Sequence, residues 1–179
     1  MPTPPGSPRR LFVLRHAKSS WNNAYLADFD RPLAPRGQRA AEAMADHVAS
    51  LDRPPALVLS STARRAQDTL EPLRDRLPAG TEVRLLDDLY GADAHDLLAV
   101  LRQVPDDVTS VMVVGHNPGL EDLVRALGRD GDAGLIARVH AKFPTAALAT
   151  LAFDGPWTTL GSGDPARLEA FVVPGDLAC

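Results

Sequence analysis

Cysteine is almost missing from this chain of 179 residues: there is one, Cys179, at the last position. One thiol excludes an intrachain disulfide framework and a thiolate metal cluster. Long apolar runs are missing too, since none approaches the roughly 20 residues of a membrane-spanning helix. Residues 1–10, with Pro2, Pro4, Pro5, Pro8, Arg9 and Arg10, hold no apolar segment of the signal-peptide kind. They are expected to form a short disordered lead, and the expected location is cytoplasmic. Basic residues are not in excess: 19 Lys+Arg against 23 Asp+Glu give a net charge of -4. That argues against a nucleic-acid partner, although a cleft can focus a positive field that the net charge hides. No glycine-rich phosphate loop follows the first apolar run, which counts against a nucleotide-binding α/β domain.

What is present is an ordinary globular composition, 45% hydrophobic and 23% charged, in a length that suits one domain over residues 11–179. Leu11-Phe12-Val13-Leu14 reads as a strand buried on both faces, and it runs straight into Arg15-His16. Val111-Met112-Val113-Val114 repeats the pattern and runs into Gly115-His116-Asn117-Pro118-Gly119. In open α/β sheets, ligands sit beyond the carboxyl ends of the strands. Two such strands, each ending in a histidine, suggest one site with two imidazoles.

Other strands are expected at 56–60, 82–86, 146–153 and 168–173. Helices are expected at 37–49, from Arg64 to Leu77, and at 93–103 and 120–127. Met44, Val48 and Leu51 make one apolar stripe, and Leu70, Leu73 and Leu77 another. Ser60-Ser61-Thr62 can cap the second helix. Residues 17–36 are proline-rich and read as irregular, and 128–134 as a loop. Strand–helix alternation from 11 to 127 argues for a largely parallel sheet with helices on both faces, the last two strands pairing antiparallel.

Arg15, His16, Arg65 and His116 all fall just beyond apolar strand ends. A histidine that attacks phosphorus needs an unprotonated nitrogen aimed in line, with its tautomer fixed through the other nitrogen. Phosphoryl transfer otherwise needs positioning and positive charge around the equatorial oxygens, which arginine supplies as a planar fork. Two histidines and two arginines could therefore make a phosphoryl pocket that needs neither metal nor organic cofactor.

The run Leu14-Arg15-His16-Ala17-Lys18-Ser19-Ser20-Trp21-Asn22 resembles the Arg-His-Gly signature of the histidine phosphatase superfamily, with Ala17 in the glycine position. More narrowly, the chain resembles the short SixA-type phosphohistidine phosphatases. The matching motifs are Asp30-Arg31-Pro32-Leu33 with Arg36-Gly37, the stretch from Ser60 to Thr69, Val114-Gly115-His116-Asn117-Pro118-Gly119, and Lys142-Phe143-Pro144-Thr145. The resemblance implies a phosphoglycerate-mutase-like fold: a three-layer α/β sandwich around a mostly parallel sheet. It implies His16 as the nucleophile that becomes phosphohistidine. Arg15 and Arg65 would bind phosphoryl oxygens, Arg65 being selected over Arg64, and His116 would donate to the same group. Asn22 stands where the family often places a further phosphate contact; a turn asparagine is the alternative.

The general acid that many members carry has no clear match. Asp87, Asp88 and Asp93, around Leu89-Tyr90-Gly91, are the candidates, and solvated loop acids or a helix cap is the plainer reading. Without an acid, an alkyl alkoxide leaves poorly, at a cost of about 10²–10⁴-fold. The imidazole of a phosphohistidine can leave already protonated. Lys18 stands where many sugar-phosphate mutases of the superfamily have an acid, which counts against a mutase. The expected activity is phosphatase action on phosphohistidine in a protein. The rivals are a small phosphate ester as substrate and a phosphoprotein-binding module without turnover. His47 is expected to be exposed, His95 to lie near a helix start, and His140 to have no pocket role. Asp130-Gly131-Asp132 lacks the remaining ligand pattern of a calcium loop and reads as a surface turn.

Overall fold

The computed structural model describes residues 6–177, and one seven-stranded sheet organises them. Its strands are β1 (Arg9–Arg15), β2 (Leu57–Ser61), β3 (Glu82–Leu86), β4 (Ser110–Gly115), β5 (Asp130–Gly131), β6 (Leu148–Phe153) and β7 (Arg167–Val172). They lie in the order β3-β2-β4-β1-β6-β7-β5. β3, β2, β4 and β1 pair in parallel. β6 runs antiparallel to both β1 and β7, and β5 pairs in parallel with β7. The helices are α1 (Pro35–Ala49), α2 (Arg64–Arg74), α3 (Ala94–Leu101), α4 (Gly119–Leu127), α5 (Ala133–Ala141) and α6 (Pro174–Leu177).

Successive side chains of a strand point to opposite faces, and the continuous apolar runs divide accordingly. Leu11 and Val13 of β1 join Leu97 and Leu101 of α3 and Leu120 and Leu123 of α4 in one core. Phe12 and Leu14 join Met44 and Val48 of α1 and Leu70 and Leu73 of α2 in the other. A strand so covered cannot alternate with polar residues, which is why these runs read as buried. The result is the expected three-layer α/β sandwich.

Four local expectations change. Arg9 and Arg10, expected in the lead, belong to β1. Arg9 is held by the carbonyls of Gly155 and Asp106, and Arg10 by Glu169 at 3.5 Å. Residues 1–5 and Cys179 lie outside the described residues. The expected loop at 128–134 instead contains β5 and the start of α5, so Asp130-Gly131 is a short strand and not a surface turn. Asp132 caps α5 by accepting from the Leu135 N–H at 3.0 Å, while Val139 supplies its buried contact. The irregular stretch 17–36 carries a 3-10 turn at Asp28–Asp30. Finally, α2 begins after Ala63 with no side-chain cap bond, because the hydroxyls expected to cap it bond elsewhere.

Helix α1 starts at a proline, whose fixed φ suits the first turn. Two residues on, Gly37 touches the chain that leaves β1: a Cβ there would lie 2.1 Å from the Lys18 carbonyl oxygen. That oxygen is already held by the Ala34 N–H at 2.9 Å. Gly37→Ala is therefore expected to cost about 1–3 kcal/mol of stability, read as a lower urea midpoint at unchanged m-value. An unchanged midpoint would mean that the approach is not a constraint.

Candidate active site

The site forms where β1 and β4 end side by side, with Arg15 and Gly115 in register. The His16 N–H donates to the Gly115 carbonyl at 3.0 Å, which ties the two strand ends together. The rings of His16 and His116 then lie 5.1 Å apart at 50°. His16 Nδ1–H donates to the Ala17 carbonyl at 2.7 Å. This bond places the proton on Nδ1 and leaves the lone pair on Nε2. The Ala17 N–H donates to Thr69 Oγ1 at 2.9 Å, and the Thr69 hydroxyl donates to the Arg65 carbonyl at 2.7 Å. The peptide that presents His16 is thus fixed to the helix that presents Arg65.

Arg65 is 7% exposed. Its Nε–H donates to His16 Nε2 at 3.4 Å. Its Nη1 and Nη2 donate to the Asp28 carbonyl at 2.7 Å and carboxylate at 3.0 Å. Neighbouring Arg64 points outward and pairs with Asp68. Of the two, Arg65 is the one in the site. Arg15 Nη1 and Asn117 Nδ2 both donate to the Phe143 carbonyl, at 3.0 and 2.9 Å. The stretch Lys142-Phe143-Pro144-Thr145 therefore bears on the site through a backbone oxygen.

His116 Nε2 lies 2.8 Å from Ser61 Oγ. That hydroxyl already accepts from the Ala63 N–H at 3.2 Å, so its own hydrogen is available for Nε2. His116 Nδ1 is buried and has no partner. Tyr90 stands edge-on to His116 at 5.5 Å and donates its hydroxyl to Asp28 Oδ2 at 2.6 Å.

An open cavity of about 340 Å³ is lined by Arg15, His16, Arg65 and His116, with Lys18, Ser19, Trp21, Arg31, Asn117 and Thr145. A larger hollow of about 450 Å³ beside the end of α4 contains none of these residues. It brings together no nucleophile and base, so the chemistry resides in the smaller one. Within it, burial pushes the His16 pKa down to about 3 and the His116 pKa down to about 4, with the nearby arginines acting in the same direction. The Asp28 carboxyl is held below its usual range by the Tyr90 hydroxyl, then by Arg65 and Arg31.

Both imidazoles are therefore neutral in the folded protein. Between pH 8 and 5, their ring resonances in NMR are expected not to titrate. The unfolded chain takes up protons on His16 and His116 first, so stability falls as pH drops below about 6.5. A His16 midpoint near 6.5 would contradict its burial.

Asn22 is exposed, and its backbone N–H donates to Ser20 Oγ at 3.2 Å. It does not line the cavity. Asp87 accepts from the Thr62 hydroxyl at 2.6 Å, Asp93 caps α3 in a capping box, and Asp88 is exposed. None of the three lines the cavity. His47 is half-buried and not exposed. Asp28, Tyr90 and Ser61 belong to the site without having been singled out from sequence.

Residues 11–97 match the model of the histidine phosphatase superfamily, branch 1. A structure of a SixA-named protein from Agrobacterium tumefaciens is 34% identical, covering 94% of this chain and 99% of that one, with a TM-score of 0.78.

The chain belongs to the histidine phosphatase superfamily.

A SixA-named structure from Nakamurella is 30% identical over 95% of this chain and 98% of the other, with a TM-score of 0.83. The protein histidine phosphatase SixA solved with tungstate is 25% identical over 94% and 99%, with a TM-score of 0.75. An uncharacterized protein of Mycobacterium tuberculosis is 37% identical over 90% of this chain and 99% of its own length. As a member of this superfamily the chain is a phosphatase, a hydrolase of phosphoric groups. Among the described residues, no helix is long and apolar enough to cross a membrane.

Proposed function

We propose that this phosphatase removes phosphate from phosphohistidine in a protein, in the cytoplasm, through a covalent intermediate on His16. The neutral Nε2 of His16 attacks phosphorus and forms an N–P bond as the substrate's N–P bond breaks. The electron pair of the broken bond goes to the leaving imidazole, which departs neutral when its other nitrogen already carries a proton. Arg65 Nε–H and the Arg15 guanidinium face the phosphoryl oxygens, and His116 donates to the same group. Water then attacks phosphorus, its proton passing to a phosphoryl oxygen, and the N–P electron pair returns to His16 Nε2. Inorganic phosphate leaves.

The observation that carries this reading is the state of the one acid tied to Arg65. Asp28 is held ionised by Tyr90, Arg65 and Arg31, so it is poorly suited to protonate an alkoxide. A site without a ready proton donor favours a leaving group that needs none. The SixA-named neighbours support the same substrate class. Phosphorus NMR of the protein with a phosphohistidine-bearing carrier protein and, separately, with simple phosphate esters tests the reading. Rapid loss of the phosphohistidine signal is expected, with esters at least about 10²-fold slower. Faster ester turnover would move the assignment to a small-molecule phosphatase. Binding without turnover of either would make the chain a phosphoprotein-binding module.

A further inference from the structure

Trp21 is 74% exposed, yet it lines the cavity that holds His16. An indole so placed is not there for the core, since neither of the main apolar clusters includes it. What holds it is Arg31, whose guanidinium carbon lies 3.3 Å from the ring centroid. Arg31 is itself 7% exposed. It is pinned from below by Ser19 Oγ at 3.2 Å and by Asp28 Oδ1 at 3.2 Å. Its Nε and Nη1 are buried and without partners. Covering two such donors is costly unless the cover does something else. The cation fixes the orientation of the ring through one face, while the ring's large exposure leaves the rest of its surface open at the cavity mouth. No other aromatic ring among the described residues is recorded stacked on it.

We infer that Trp21, backed by Arg31, is a stacking platform for the planar leaving group, the imidazole of the substrate phosphohistidine. This specificity determinant rests on the phosphohistidine reading of the site. Once phosphorus is held between His16, Arg15 and Arg65, the leaving ring must extend toward the mouth of the same cavity. There the flat, rigidly backed indole accepts a flat ring at little entropic cost, because Arg31 has already ordered it. A phosphoryl donor without a ring gains nothing from it. Trp21 is thus a selectivity residue that touches the leaving group and takes no part in moving protons or electrons.

The test compares kcat/KM for a phosphohistidine peptide and for phosphoramidate, which has the same P–N bond and no ring. Wild type, Trp21→Ala and Trp21→Phe are measured. Trp21→Ala is expected to lose about threefold to tenfold on the peptide, less than twofold on phosphoramidate, and nothing in melting temperature. Trp21→Phe restores most of the loss, because a flat ring remains. An equal loss on both donors, or no loss on either, would overturn the platform while leaving the phosphohistidine reading intact. A wild-type protein inert toward the peptide but active on esters would overturn both. The two failures are therefore distinguishable.

Discussion

His16→Ala lowers turnover of a phosphohistidine substrate by at least about 10⁴-fold, while inorganic phosphate still binds. The size follows from the role: Nε2 is the atom proposed to form the N–P bond, and no neighbouring group can replace it. His116 does not take over, because its Nε2 is engaged with Ser61 Oγ at 2.8 Å and its Nδ1 is buried. Phosphate binding survives because Arg15, Arg65 and His116 are untouched and sit on separate elements. Loss of a nucleophile typically leaves only what binding and oxyanion contacts supply. Alkaline quench of wild type during turnover is expected to trap base-stable, acid-labile phosphorus on His16, and the variant traps none. Turnover within tenfold of wild type would mean that water attacks the substrate directly and that no covalent intermediate forms.

Arg65→Lys is the second large effect, a loss of about 10²–10³ in kcat/KM. The charge is kept, so charge is not what is lost. Arg65 spans two partners at once: Nε faces His16 Nε2 at 3.4 Å, and both Nη atoms are held by Asp28. A single ammonium reaches one partner or the other and cannot lie as a plane between them. Asp28→Asn separates the parts of this effect. It keeps the arginine and weakens its tether, together with the contacts of Asp28 to Arg31 and Tyr90, so a smaller loss is expected, in KM more than in kcat. If Arg65→Lys were nearly silent, the phosphoryl group would have to be held by Arg15 and His116 without it. Steady-state kinetics on phosphoramidate decide this without any contribution from the leaving ring.

Much of this site is legible in one dimension because strand ends carry it. The runs Leu11-Phe12-Val13-Leu14 and Val111-Met112-Val113-Val114 can be apolar throughout only if covered on both faces, and the polar residues that follow must then emerge at one edge. That places Arg15, His16 and His116 together, and Arg65 on the helix after the next strand joins them. Asp28 is different. It sits in a proline-rich stretch that reads as a turn, and its partners Arg65 and Tyr90 lie 37 and 62 residues away. Nothing local marks such a residue, since its role exists only when three distant segments meet. Ser61 is hidden for another reason. A serine before a helix reads as a cap, and only the tertiary structure shows its hydroxyl spent on His116. Helix α5 is missed because its buried contact among the described residues is a single valine, Val139, too little for a stripe.

The histidines and the arginine fork are anchored to the sheet and to α2, and Trp21 to Arg31, but the residues that follow Trp21 are not. Residues 22–27 are exposed throughout, and their hydrogen bonds are few and local. Such segments open with little free energy, while buried strands open only with the whole fold. In hydrogen exchange, the amides of 22–27 should lose protection in seconds while those of β1 and β4 hold for hours or more. The enzyme would then spend part of its time with the catalytic pair assembled and the rim over it undone. A bulky phosphoprotein could enter during those openings, and the rim would close again around the side chain it had delivered.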